Sequence, residues 1–381
     1  MNDRKSPRRA NGEGTIYRHG GLWAAQVSQG KNAAGKRVRA TIYGRTKQDV
    51  ADKLQIARNE PEQARRESRK LTLAQYLTRW IEDSVKQTCR ESTVVSYKGI
   101  VNNHIVPKAG QIPLAKFGPM QAQRLYADLT RAEATPRTIQ LTHAVLRRAM
   151  TMAVRWGLLA ANPCAGLERP RVAAKEMRVL DEKQVGALLK AAKSSRLYAL
   201  YVLAIFTGMR FGEILGLQWA DVDTKNRMAP SLEVRRTLQE LHGKPKLTEP
   251  KTASGRRKID LPRAVATALK AHKAKMMAEG LRTATHVFCN RAGAPLRQAY
   301  VTRKSFKKLL ETAEIPHIRF HDLRHTAATL MLKQGIHAKV VSERLGHASI
   351  QITLDRYSHV LPSMQRDAAD KLDAVFAKLR A

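Results

Sequence analysis

His321–Asp322–Leu323–Arg324–His325 is the stretch on which the reading of this chain turns. In a helix, His321, Arg324 and His325 share one face, while Leu323, Ala327, Leu330 and Met331 form an apolar stripe on the opposite one. Two imidazoles and a guanidinium would then stand on one rigid edge, backed by a core. Tyr357 follows downstream and brings a phenol to the same region of sequence.

The rest of the composition says what such an edge would meet. The chain has 381 residues, enough for two or three domains of roughly 100–200 residues each. Its 69 Lys and Arg against 32 Asp and Glu give a formal charge of +37 and favour polyanions as partners. The excess runs along the whole chain rather than in one tail, which argues against a merely soluble basic protein. Cys89, Cys164 and Cys289 are widely spaced and suit neither a disulfide framework nor a zinc site. No apolar segment follows the basic Met1–Arg9, so no signal peptide is expected. The longest apolar run, Leu197–Phe206, is about half the ~20 residues of a membrane span. A cytoplasmic, nucleoid-associated protein with no membrane partner is expected.

In order along the chain, residues 1 to about 12 read as a basic arm. Gly14–Arg18, Leu22–Val27 and Lys36–Tyr43 read as three short strands, followed by a helical tail near Thr46–Arg58. Trp23, Val27, Val38 and Ala40 would face inward, and Arg37 and Arg39 outward, where a sheet face can enter a DNA groove. A charged linker leads to Thr72–Gln75, a capping box, and to helices near Ser92–Val106, Pro119–Thr130 and Pro136–Trp156. Leu180–Gln184 opens the last region with another capping signature. There Leu197–Phe206 reads as a buried helix broken at Thr207–Gly208, and Leu232–Arg236 and Arg257–Leu261 as strands with turn material between them. Everything after Pro262 reads as helical.

Four local patterns carry polar groups that need explaining. Arg210 follows the end of the buried helix with Glu213 one turn on, so it is either an anion ligand or half of a structural ion pair. Lys251 lies near the tip of the turn-rich Glu249–Arg257. The third is the opening stretch, and the fourth is Leu345–Gly346–His347 followed by Tyr357. His321 and His325 imitate a zinc-binding H-E-x-x-H, but Asp322 replaces the catalytic Glu and Arg324 would oppose the dication. No metal or other cofactor is expected. What remains is phosphoryl chemistry: guanidinium groups match the charge that gathers on a phosphodiester under attack. A phenol, with a pKa near 10, needs a base or a positive field to attack at neutral pH.

Taken together, Thr207–Leu215, Lys251 in Lys–Thr–Ala–Ser–Gly–Arg–Arg, His321–His325, Leu345–His347 and Tyr357–Val360 resemble the tyrosine recombinase family, in particular phage-type integrases. The resemblance implies a mainly α fold with small β elements. Residues 1–62 would be a basic arm and a small three-stranded arm-type DNA-binding domain. Residues 71–161 would be a helical core-binding domain, and 176–381 a mainly helical catalytic domain with a small sheet. It implies a site-specific recombinase that cuts and rejoins DNA through a 3′-phosphotyrosine, to integrate or excise a mobile element. Tyr357 would be the nucleophile, Arg210 and Arg324 the phosphate ligands, and Lys251 the general acid. His321 would be the base near the phenol, His347 a phosphate donor, and Glu213 a support for Arg210 or His321; His325 has no assigned role. The implied partners are double-stranded attachment sites, further protomers making a homotetramer on DNA, an excisionase and a DNA-bending host protein. A type IB topoisomerase-like enzyme and a catalytically idle DNA-binding regulator are the competing readings. The arm and core-binding modules argue against the first, and retention of the whole residue set against the second.

Overall fold

The structure is a computed structural model that describes residues 16–31, 37–54, 67, 69–168, 177–241, 243–250, 253–357 and 362–379. The chain divides into two units, Met1–Ala174 and Lys175–Ala381.

The first unit opens with an antiparallel sheet of β1 (Ile16–His19), β2 (Leu22–Lys31) and β3 (Arg37–Gly44) in that order. Helix α1, residues 47–54, closes one face: Val50 and Leu54 pack on Ala25, with Ile16, Trp23 and Ile42 around them. Ala24, one residue out of step, is also fully buried on the other face. Arg39 is exposed and reaches Gln26 across the register. The side chains of Arg37, Val27, Val38 and Ala40 lie outside the described residues.

The helices that follow start where capping chemistry puts them. Leu73–Trp80 runs through a π turn at Ile81–Val85 into Lys86–Thr88, together α2. Thr72 and Gln75 exchange side-chain-to-backbone bonds at its start. Glu91–Ile100, Val101–Ile105 and Val106–Ala109 form α3 with a second π turn. Helices α4 (Pro119–Arg131) and α5 (Pro136–Arg155) each begin with proline, where the missing N–H goes unused. Tyr76, Leu77, Trp80, Ile105, Leu125 and Leu146 fill the core between them. Burying each such side chain contributes about 1.5–3 kcal/mol.

In the second unit, α6 (Glu182–Ala192) starts at an Asp181–Gln184 capping box. Helix α7 (Tyr198–Thr207) is apolar all round and forms the centre of the core, and it ends at Gly208, whose left-handed backbone stops it. Then come α8 (Phe211–Leu215), β4 (Val222–Asp223), β5 (Ser231–Val234), β6 (Thr237–Leu241), β7 (Lys244–Thr248) and β8 (Arg257–Asp260). Strands β4, β5 and β8 make one antiparallel sheet. Strands β6 and β7 make a separate hairpin where the sequence reads as turn material. The strand signal is weak there because β7 is exposed, and Pro245 is confined to the free edge that a two-stranded ribbon provides.

Helix α9 (Arg263–Ala278) follows, and α10 begins as a π helix at Tyr300–Phe306 and continues as Lys307–Thr312. Between them the chain is irregular, with single bridges Gln218 to His286 and Cys289 to Pro295, so the all-helical expectation past Pro262 fails over this segment. The last helices are α11 (Asp322–Lys333), α12 (Ala338–Leu345), α13 (Ile350–Tyr357) and α14 (Pro362–Leu379). Asp322 to Thr329 are all buried, so the front of α11 has no solvent face opposite its apolar stripe. No helix among the described residues is long and apolar enough to cross a membrane.

Candidate active site

The site is built around two helix ends. Helix α7 stops at Gly208 and α12 at Gly346, both left-handed, with φ of +63° and +70°. Each frees carbonyls at the negative end of a helix dipole. Arg324 Nη1 donates to Gly208 O and Leu345 O, both at 2.8 Å. Arg210 Nη2 donates to Gly346 O at 2.7 Å. Two guanidinium groups are thus held on consecutive carbonyls of one turn, although their charges repel. The crowding is visible in Arg324, whose pKa burial and the nearby Arg210 push down to about 9.

Gly208 has no room for a side chain. A Cβ there would lie 2.4 Å from Leu345 Cδ2 and 3.2 Å from Ala327 Cβ. Gly208→Ala should therefore lose about 2–5 kcal/mol, summing left-handed strain and overpacking. Denaturant melts check this, and a loss below about 1 kcal/mol would mean that the helix end yields easily.

Glu213 supplies the compensating charge. It is 3% exposed and accepts from Arg210 N (2.9 Å) and Nη1 (2.9 Å) and from Arg257 Nη1 (3.2 Å) and Nη2 (2.9 Å). Burial works to raise its pKa, but Arg257 and Arg210 outweigh burial and hold it below the usual carboxylate range. Arg257 also donates from Nε to Arg344 O at 2.8 Å, tying β8 to the end of α12. Arg210, Arg257 and Arg324 against one carboxylate leave an excess of positive charge, which a phosphodiester would partly offset.

His347 extends the same turn. Its Nδ1 lies 2.8 Å from Thr353 Oγ1. Burial and then Arg324 and Arg210 push its pKa down to about 3, so the ring is neutral at ordinary pH. In the tautomer that accepts from Thr353, Nε2–H is left as a donor. Tyr357 closes the cluster at the end of α13, its ring packed among Ala328, Leu332, Val341 and Leu345. Burial raises the phenol pKa, opposed by Arg324 and Arg356.

The partner of that phenol is not the histidine expected from sequence. His325 Nδ1 lies 2.8 Å from Tyr357 Oη. His321 occupies the N-cap position of α11 with an exposed edge, and its ring stands 5.2 Å from that of His325, edge to face. Its pKa is lowered by partial burial and then by Arg324. The start of α11 is fixed by Asp322, which accepts from Arg319 N and from the Arg319 side chain. Lys251 lies outside the described residues; the chain resumes at Ala253–Gly255, with Ser254 O against Gly346. Arg210, Arg324, His347 and Tyr357 are thus brought together, and Arg257 and His325 join them. Among the described residues no group of His, Cys, Asp and Glu has the geometry of a metal site.

The description "Phage integrase family" matches residues 178–364, and "Phage integrase, N-terminal SAM-like domain" matches residues 72–130. The chain belongs to the phage integrase family of tyrosine recombinases. This integrase is 29% identical over 376 residues to a protein named tyrosine recombinase XerC-like from Caldanaerobacter subterraneus subsp. tengcongensis, covering 92% of this chain and 95% of that one. It is 25% identical to the ICEBs1 integrase of Bacillus subtilis, over 93% and 97% of the two chains. In fold it is similar to the Tn1549 transposon integrase solved with transposon right end DNA, at a TM-score of 0.68, 20% identity, and 80% and 100% coverage. A lambda integrase dimer bound to a core site matches at a TM-score of 0.58 and 19% identity, over 92% and 96%. The integrase is a site-specific recombinase that breaks and rejoins DNA strands.

Proposed function

We propose that Tyr357 attacks the scissile phosphate, forms a 3′-phosphotyrosine and frees a 5′-hydroxyl. The observation that carries this reading is the pair Arg210 and Arg324 fixed on Gly346 O and Leu345 O, with the Tyr357 hydroxyl bonded to the residue after Arg324. Their guanidinium groups hold the non-bridging oxygens, and His347 donates a further bond. Lys251 protonates the leaving 5′-oxygen. His321, with its exposed edge, takes the solvent side of the site. Glu213 and Arg257 hold Arg210 in place.

The DNA comes as double-stranded attachment sites of a mobile element, with integration or excision as the outcome. Residues 1–62 act on arm sites and 71–161 on the core site, while 176–381 carry the chemistry. The +37 charge supports a nucleoid-associated, cytoplasmic protein whose binding weakens steeply with salt. An excisionase and a DNA-bending host protein complete the set of partners. The test is a nicked duplex attachment site incubated with protein in EDTA. A covalent adduct is expected; no adduct on any cognate site would leave the DNA-binding regulator.

A homotetramer on two sites is the working assembly. Helix α14 supports it: Leu372, Val375, Phe376 and Leu379 are 62%, 52%, 64% and 77% exposed, an apolar set that would dock on the neighbouring protomer. Deleting residues 370–381 should abolish synapsis and recombination while the truncated chain still binds a single site. Synapsis and recombination at the full level in that truncation would exclude docking in trans.

A further inference from the structure

The contact between His325 and Tyr357 belongs to none of the roles assigned above. Both side chains are buried, at 3% and 1% exposure. Their ring centroids are 5.9 Å apart at 53°, with Nδ1 at 2.8 Å from Oη. Both are also fixed. His325 sits inside α11, directly after an arginine anchored on two carbonyls. Tyr357 fills an apolar pocket formed from α11 and α12. Neither ring can turn to solvent without emptying packed space, so the bond is a property of the fold and not of a surface rotamer.

We propose that His325 is a further catalytic residue, whose Nδ1 accepts the phenolic proton of Tyr357 as Oη attacks the scissile phosphate. This rests on the reading that Tyr357 is the nucleophile. In the step, the Oη–H bond breaks and an N–H bond forms on Nδ1, while Oη bonds to phosphorus. The bond from phosphorus to the 5′-oxygen breaks, and that oxygen takes its proton from a separate acid, Lys251. Strand joining runs the same transfers backwards: the 5′-hydroxyl displaces the phenolate, which recovers its proton from Nδ1.

The surroundings suit a base. His325 is faced by His321, Asp322 and Arg324 on its own helix and by Arg356 and Tyr357 on α13. Burial, then His321, Arg356 and Arg324, against Asp322, push its pKa down to about 4, so the resting ring is neutral and can accept. A phosphate arriving beside these cations offsets their charge and favours the imidazolium at the moment it forms. The phenol cannot ionise unaided, because burial holds its pKa above the ordinary value. His321, one ring further out, could pass the proton towards solvent but does not touch Oη in this arrangement. The same geometry would also serve to stow the tyrosine, and that alternative predicts the opposite change in rate.

The test is single-turnover cleavage of a nicked attachment-site duplex by the full chain, with either oxygen or sulfur at the 5′-bridging position. A sulfur leaving group departs without an acid, so Lys251→Ala should be slow on oxygen and restored on sulfur. His325→Gln keeps the shape and a hydrogen-bond acceptor but cannot take the proton. It should be about 10²–10⁴-fold slower on both substrates, with DNA binding unchanged. His325→Ala should be slowed likewise and partly restored by added imidazole. Cleavage by His325→Gln within about threefold of wild type, or faster cleavage by His325→Ala, overturns the proposal. An adduct that survives in Tyr357→Phe would instead remove the nucleophile reading on which it rests.

Discussion

Tyr357→Phe should leave no covalent protein–DNA adduct, a fall of at least about 10³-fold in single-turnover cleavage, while affinity for the intact site stays within about twofold. The two numbers separate because they come from different parts of the molecule. Affinity should be carried by phosphate contacts spread over a chain with 69 Lys and Arg, and the loss of one neutral hydroxyl should change none of them. Cleavage, on the proposal that Tyr357 is the nucleophile, needs the oxygen itself. The substitution also leaves His325 Nδ1 buried without its partner, which should lower stability by about 1–3 kcal/mol. Gel-resolved adduct, filter binding and a denaturant melt give the three values. Retention of a cleavable adduct in the Phe variant would move the nucleophile to another residue.

How far sequence alone could go depends on whether a feature is local. The end of α7 at Gly208 and the Thr72–Gln75 and Asp181–Gln184 boxes rest on neighbours in the chain and could be read there, whereas β5 and β8 could be read as strands but their pairing joins residues 23 to 29 apart. The face of α11 could be read only in part. Periodicity sets His321, Arg324 and His325 together, but the helix begins at Asp322, so His321 occupies a cap position and keeps an exposed edge. His325, one turn further in, meets the phenol. The deciding contact joins residues 32 apart in sequence, and no spacing rule selects it over the contact with His321. Arg257 is harder still. It stands at the end of the quoted Lys251 segment, yet among so many basic residues nothing marks it as the one that loses its water to Glu213. Only the packing of β8 against α8 and α12 makes that assignment.

At Glu213 the stability of the site and the chemistry proposed for it should depend on one side chain. Glu213→Ala should destabilise the second unit by about 3–5 kcal/mol, because Arg257, with a side chain only 8% exposed, keeps its charge and loses its counterion. It should also slow cleavage by about 10²–10³-fold, since Arg210 loses the carboxylate that fixes both its backbone and its guanidinium. Acid titration tests the charge directly. The folded-state pKa of Glu213 is held below its unfolded value near ~4.3, so its contribution is complete above that value and is lost as pH falls through the folded one. Glu213→Gln, which has no such proton to bind, should lack this part of the acid destabilisation. Pairing Glu213→Leu with Arg257→Met replaces the buried ion pair by apolar packing and should recover much of the lost stability. Cleavage should stay low in that double variant, because Arg210 is still held only by Gly346 O. If cleavage returned together with stability, Glu213 would be a packing residue and Arg210 would not depend on it.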